Sequence, residues 1–142
     1  MRLSAKIALT WDLFRALAVF RRGGDPANIL IVRLDGFGDF ALYLPYAQAL
    51  RELYPRGKYR LTLCANAGWC ELAEKLLPFD DFIPLEVRRY MTDLSYRRSM
   101  NVRLAEGRFG RLIQPRFFRE PFLEDRLALA AGCGGEIGRA HV

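Results

Sequence analysis

A short apolar run that passes directly into a glycine-rich loop constrains the fold of this chain most. Residues 28–33 (NILIVR) are almost continuously apolar and lack the polar alternation of a half-exposed strand. Such a run is typical of a strand that is buried on both faces of a parallel sheet. The loop at residues 34–39 (LDGFGD) follows, and a helical pattern begins after it. We therefore predict a strand, a loop and a helix, with the loop at the carboxyl edge of a parallel sheet, where such sheets bind ligands.

Strand and helix patterns alternate along the rest of the chain. Pro45 is expected in or near the first turn of the first helix, where its missing N–H is tolerated. Pro84 cannot donate to a β-ladder and predicts an edge strand. The further predicted elements are strands at 59–65, 82–85 and 111–114 and helices at 68–77 and 121–131. This alternation predicts an α/β fold, a Rossmann-like doubly wound parallel sheet with right-handed crossovers.

An extra amphipathic helix is predicted ahead of the first strand, within residues 4–22. Its apolar stripe consists of Leu3, Ile7, Trp11, Phe14, Leu17 and Ala18. The sequence GGDP at 23–26 then ends the helix and turns the chain. We divide the chain into this helix and turn at 1–27 and a domain at 28–135. The helix either packs on its own domain or lies in a membrane interface, and the pattern leaves both alternatives open.

The charge of the chain suggests an anionic partner. The 142 residues carry a net charge of +6, and nine arginines lie between positions 88 and 119. Such a block either attracts a nucleic acid, an anionic membrane surface or a phosphorylated substrate, or forms a solvated basic face. A nucleic-acid partner is not expected, because no recognised binding motif accompanies the arginines.

Cysteine usage and hydropathy indicate the compartment. The three cysteines have no spacing typical of metal ligands, so we expect no metal and a reduced, cytoplasmic protein. No apolar run reaches the roughly 18–20 residues that a membrane-spanning helix needs. The first ten residues lack a continuous apolar region with a small-residue cleavage site, so we expect no secretory signal peptide.

The glycine loop allows two kinds of chemistry. Residues 36–41 match the loose dinucleotide pattern G-x-G-x-x-A, so a domain of an NAD(P)- or flavin-dependent oxidoreductase is one alternative. Asp39 argues against it, because a carboxylate there would occupy the helix N-terminus that a pyrophosphate needs. Asp39 itself is either the N-cap of the helix or a general base that takes a proton from an acceptor hydroxyl. Spacing alone favours the cap.

The same residues resemble the N-terminal half of the ADP-heptose:lipopolysaccharide heptosyltransferases, glycosyltransferase family nine. The resemblance rests on residues 29–39, 44–45 and 49–51 and continues through 59–63 and 81–85 to about position 132. It implies the N-terminal domain of a GT-B fold that binds mainly the acceptor. It also implies that Asp39 is the catalytic base of an inverting transfer without an obligatory metal. A nucleotide-sugar donor, ADP-heptose, would bind mainly to a C-terminal domain, and no other cofactor is expected.

Further site residues follow from this resemblance. An acceptor on a lipopolysaccharide core or a related envelope glycan carries phosphates and carboxylates, which guanidinium groups bind in bidentate fashion. The expected partner is therefore an anionic glycolipid, reached in the cytoplasm or peripherally at the inner membrane surface. A non-catalytic basic module that docks on membranes remains another alternative. The expected acceptor-binding residues are Gly36, Phe37, Gly38, Arg88, Arg89, Arg116 and Arg119.

The last seven residues are unusual. Residues 136–142 (EIGRAHV) back-translate into a common sequencing-adapter sequence. We therefore expect the native reading to end near Gly135, with residues 136–142 a non-native tail. Under this expectation the chain is a truncated transferase that holds the base and part of the acceptor site and shows no turnover alone.

Overall fold

All β-strands of the computed structural model, which describes residues 24–114, 126–131 and 137–139, form one parallel sheet. The elements are β1 (Asp25–Arg33), α1 (Phe37–Leu53), β2 (Arg60–Asn66), α2 (Ala67–Leu76), β3 (Asp81–Leu85), α3 (Val87–Thr92), α4 (Leu94–Glu106), β4 (Phe109–Gln114), α5 (Arg126–Ala131) and β5 (Ile137–Arg139). The strand order is β3-β2-β1-β4-β5. The predicted α/β fold with a Rossmann-like sheet is thus confirmed, whereas the predicted N-terminal helix lies outside the described residues.

Strand β1 is buried on both faces. Ile29 and Ile31 pack into the cluster that α1 and α2 form on one face of the sheet. Leu30 and Val32 point the other way, into the cluster that includes residues of α4 and α5. Because successive strand residues alternate between faces, a continuous apolar run is what a central strand between two helical layers requires. Within the part of the chain that the structure describes, no helix is long and apolar enough to cross a membrane.

Strand β3 ends the sheet, as Pro84 predicts. It pairs only with β2 among the described strands, and Pro84 stands opposite Ala65 in that ladder. An edge strand has no partner on its outer side. Pro84 can therefore lack an N–H group there without the loss of a hydrogen bond of the sheet.

The prediction that Pro45 lies in or near the first turn of its helix is wrong. Pro45 lies inside α1 rather than in its first turn, because the helix already begins at Phe37. Its ring nitrogen cannot donate to the carbonyl of Ala41, four residues earlier. Both residues are exposed, so water can reach that carbonyl and the helix continues past the proline.

Two helices, α3 and α4, occupy the basic stretch where no element was predicted. Tyr90, Met100 and Leu104 anchor them in the core. Asp93 caps α4 by accepting a hydrogen bond from the Tyr96 N–H at 3.2 Å. Arg97 is buried and donates to the backbone carbonyl of Tyr90 at 2.8 Å. Part of the arginine block is therefore structural, since Arg97 binds the last turn of α3 rather than a polyanion.

Asp80 connects three segments at the amino edge of the sheet. Its carboxylate accepts hydrogen bonds from Arg51 of α1 at 2.9 Å, from Arg56 at 2.8 Å and from the Leu61 N–H at 2.8 Å. Burial of the Asp80 carboxyl raises its pKa, but the Leu61 N–H and the two guanidinium groups outweigh burial and hold the pKa below its usual value. Arg51 is itself buried and also donates to the Tyr59 carbonyl.

We expect D80N to destabilise the fold by about 2 kcal/mol, because hydrogen bonds to a charged partner are lost and Arg51 stays buried. D81N is the matched control, since Asp81 pairs with Arg60 in an exposed ion pair that contributes little. Urea denaturation of both variants measures the difference. Equal losses of stability in D80N and D81N would contradict this account.

The effect of D80N also depends on pH. Because the folded pKa of Asp80 lies below the unfolded value, its stabilisation is complete above the unfolded pKa of about 4. It is lost as the pH falls through the folded pKa. The stability difference between wild type and D80N should therefore shrink on acidification.

Candidate functional site

The loop between β1 and α1 leaves the first turn of α1 without a side-chain cap. Gly36 is the N-cap, in extended conformation (φ −71°, ψ 172°), and no side chain accepts a hydrogen bond there. Helix N–H groups at this end have no partner within the helix and carry the positive end of its dipole. The edge formed by Gly36, Phe37 and Gly38 is exposed, so these groups can be reached from outside.

The loop is held in place from the neighbouring strand and helix. The indole Nε1–H of Trp69, in α2, donates to the Asp35 carbonyl at 2.7 Å. The Asn66 side chain, at the end of β2, donates to the Leu34 carbonyl at 3.2 Å and also caps α2 by accepting from a backbone N–H. Phe40 stacks on Trp69 with ring centroids 4.6 Å apart. The backbone that leads into α1 is thereby fixed before any ligand arrives.

Arg33, Asp35 and Tyr43 form a polar cluster behind the loop. The Arg33 guanidinium pairs with Asp35 at 3.0 Å and lies 4.6 Å from the centroid of the Tyr43 ring. It also reaches the backbone carbonyl of Asp39 at 3.4 Å. Burial raises the pKa of the Tyr43 hydroxyl. The positive charge of Arg33 acts in the opposite direction but does not cancel this rise. The cluster therefore ties the end of β1 to the first turn of α1.

Two buried oxygens of this cluster lack a hydrogen-bond partner among the described residues. They are Oδ1 of Asp35 and the hydroxyl of Tyr43. Only 9% of the Asp35 side chain is exposed, and only 2% of Tyr43. Buried polar atoms are seldom left unpaired, so such atoms beside a candidate site call for an explanation such as a bound group or water.

Asp39 does not cap the helix, so the expectation from spacing alone is wrong. It is the third residue of α1, three positions after the N-cap Gly36. Its side chain is exposed and lies near the positive end of the helix dipole, which favours a negative charge. An exposed carboxylate beside uncapped N–H groups can accept a proton from a bound hydroxyl, provided that the hydroxyl reaches hydrogen-bond distance.

The fold itself does not require glycine at positions 36 and 38. A Cβ atom added to either residue would meet nothing within 4 Å, and neither has a positive φ. Glycine within a helix costs about 0.5–1 kcal/mol relative to alanine, so Gly38 weakens α1 without relieving any clash. Gly36 suits the N-cap position, where glycine is common, and the lack of a side chain at both positions leaves the backbone open to close approach by a ligand.

The arginines that were predicted to bind the acceptor lie some distance from the glycine loop or outside the described residues. Arg88 and Arg89 are exposed in α3, which follows β3, at the carboxyl edge but two strands from β1, about 10 Å across the sheet. Arg89 is already engaged, since it pairs with Glu86 at 3.1 Å and lies over the Tyr96 ring. Arg116 and Arg119 lie outside the described residues.

Sequence reasoning did not identify the side chains that support the loop. Asn66 ends β2 and Trp69 lies three residues later, as the loop follows β1, and parallel strands end at the same edge. Their position after a neighbouring parallel strand could have predicted that they contact the loop. Arg33 and Tyr43 gave no such signal, because their contact depends on the register of α1 against the sheet.

A separate, open cavity of about 610 Å³ lies at the amino edge of the sheet. Its lining includes Asp25, Asn28, Lys58 and Asp80, so both signs of charge are mixed there. Asp80 already has three hydrogen-bond donors from the protein. The cavity is at the end opposite to the glycine loop, and we assign the site to the loop on its chemistry. Among the described residues, no group of three or more His, Cys, Asp or Glu could hold a metal ion.

Two thiols are excluded as nucleophiles by burial. Burial raises the pKa of Cys64 to about 12 and that of Cys70 to about 11. The third cysteine of the sequence is Cys133, and a C133S variant leaves only these two thiols. In that variant we expect no reaction with a thiol-specific disulfide reagent at pH 8 within minutes, and reaction of both thiols once denaturant is added. Rapid labelling of the folded protein would contradict the burial of these residues.

Substitution of single glycines tests whether the stability of the fold depends on them. We expect G38A to raise stability by about 0.5 kcal/mol, because alanine suits a helix and meets open space. G57A is the contrasting control: Gly57 has φ +88°, and alanine there should cost about 1 kcal/mol. Urea denaturation checks both signs. Destabilisation by G38A would show that the fold itself needs this glycine.

Comparison with known proteins does not identify the chain. No family model matches it, and no curated protein and no solved structure matches it either.

Proposed function

We propose that this chain is the acceptor-side domain of an inverting glycosyltransferase that resembles the ADP-heptose:lipopolysaccharide heptosyltransferases. One observation carries the proposal. Asp39 is exposed in the first turn of α1, beside a glycine edge that is open to solvent, at the carboxyl edge of a parallel sheet. Ligands of open α/β sheets bind at this edge, and the site offers a proton acceptor at the place where a substrate hydroxyl would lie.

The proposed reaction needs a single protein base, Asp39. The Asp39 carboxylate accepts the proton of the acceptor hydroxyl as that oxygen attacks the anomeric carbon of the donor sugar. A new C–O bond forms on one side of this carbon while the bond to the nucleoside diphosphate breaks on the other. The diphosphate leaves with the electron pair, and the configuration inverts. The donor, ADP-heptose or a related nucleotide-sugar, would bind mainly to a further domain.

The acceptor would bind at the same carboxyl edge of the sheet, beside the first turn of α1. Phe37 is 61% exposed and offers an apolar surface beside the uncapped N–H groups of the first turn. Binding sites combine such apolar surface with a few oriented polar groups. Phosphates or carboxylates of an envelope glycan would pair with a guanidinium group, and Arg88 stands at the same edge of the sheet. A loop that Trp69 and Asn66 hold in place supports this role, since little order has to be gained on binding.

The proposal is tested by titrating the ¹⁵N-labelled chain with a phosphorylated lipopolysaccharide core oligosaccharide that lacks heptose. We expect the amide signals of Gly36 and Gly38 to shift. D39N should weaken binding about tenfold, because a charge-assisted hydrogen bond from the acceptor hydroxyl is lost. E52Q is the matched control, since Glu52 is an exposed acid at the other end of α1. It should leave the affinity unchanged.

Two outcomes would overturn the proposal. If NADP⁺ or a flavin nucleotide shifts the same amides and the oligosaccharide does not, the site belongs to an oxidoreductase. If D39N and E52Q bind the oligosaccharide equally well, Asp39 does not contact the acceptor hydroxyl and cannot serve as its base.

A further inference from the structure

One flank of α1 is apolar and exposed. Leu42, Tyr46, Ala49 and Leu53 follow one another at steps of four, three and four residues, so they share one side of the helix. Leu42 is 80% exposed and Leu53 is 68% exposed. We call these four residues the open flank. A contiguous apolar strip of this kind offers a surface on which another element can pack.

The open flank lies on the side of α1 away from α2. Phe40 stacks on Trp69 of α2, and Arg51 binds Asp80, which follows α2, so both mark the side of α1 next to α2. Leu42 and Leu53 come two residues after these, about 200° farther round the helix. Because the strand order is β3-β2-β1-β4, the side of α1 opposite to α2 lies over β1 and β4.

No described helix fills the place beside this flank. Among residues 24–114, 126–131 and 137–139, the helices that contribute to the cluster on this face are α1 and α2, whereas α4 and α5 pack on the other face. Ile113 of β4 belongs to the α1 cluster. Arg111, two residues earlier on the same side of the strand, is exposed. Within the described part of the chain, the layer that α1 and α2 form therefore leaves a gap over β4.

The chain before β1 enters the sheet at the end of this gap. Gly24 packs so closely on β4 that an added Cβ would lie 2.2 Å from the Phe109 carbonyl oxygen. The Asp25 N–H donates to the Arg108 carbonyl at 3.1 Å. Residue 22 is only two residues before Gly24, which limits its distance from this point to about 7 Å. A segment that precedes it therefore ends near the first residues of β4.

We propose that residues 4–22 form a helix that packs into this gap, with their apolar stripe against the open flank of α1. The lengths agree, because 19 helical residues span about 28 Å and the 17 residues of α1 span about 26 Å. The stripe of Ile7, Trp11 and Phe14 would meet the leucines of the flank, and Lys6 and Arg15 would remain in water. The inference does not rest on the proposed function, and it assigns the N-terminal stripe to the domain instead of to a membrane.

Hydrogen exchange of the full chain, read by mass spectrometry, tests the proposal. We expect amides at 4–22 to exchange at least tenfold more slowly than in an unstructured peptide. The double variant L42E/L53E should remove this protection and leave that of β1 unchanged. L76E/V102E is the matched control, because Leu76 and Val102 are also exposed but lie on α2 and α4. It should keep the protection of residues 4–22.

Three results would overturn the proposal. The segment could exchange at the unstructured rate in the wild type, or keep its protection in L42E/L53E. Protection could arise only on addition of vesicles of phosphatidylglycerol and phosphatidylethanolamine, which would assign the stripe to a membrane. Sedimentation could reveal a dimer that L42E/L53E dissociates and I7D/F14D does not, which would assign the open flank to a second copy.

Discussion

Burial of β1 between two helical layers is the constraint on which the rest of the structure depends. Its side chains alternate between the two hydrophobic clusters, so a one-residue shift in register would exchange the two faces. β1 pairs with β2 on one side and β4 on the other, and both ladders are parallel. The carboxyl end of the central strand thereby comes to the middle of the sheet edge. There the chain must turn, and it does so through the glycine loop.

The fold could be predicted because its signals are local and consistent. Continuous apolar runs mark the central strands, and Pro84 marks the edge. α3 and α4 were missed because arginine dominates that stretch, and an arginine such as Arg97 can be buried when backbone carbonyls satisfy its donors. Burial of this kind depends on tertiary contacts, which a pattern of apolar and polar residues does not contain.

The candidate site could be predicted in part. The loop and Asp39 follow from the strand-to-helix transition, because the position of such a turn in a parallel sheet is general. The contacts that hold the loop could not be derived in the same way. Trp69 reaches Asp35 across 34 positions of sequence, and Arg33 reaches Tyr43 only because α1 has a particular rotation on the sheet. The predicted roles of Arg116 and Arg119 remain predictions, as do those of Arg88 and Arg89.

Pro45 has a mechanical consequence for α1. A proline removes one hydrogen bond from the helix and makes that point the easiest place to bend it. The half after Pro45 is anchored through Arg51 and Asp80 at the amino edge, and the half before it carries Asp39. Phe40 and Tyr43 are buried before the proline, so each half of the helix is held to the domain by its own contacts. The end of α1 that faces the site therefore depends on the packing of these two aromatic side chains and not on the ion pair that secures the other end.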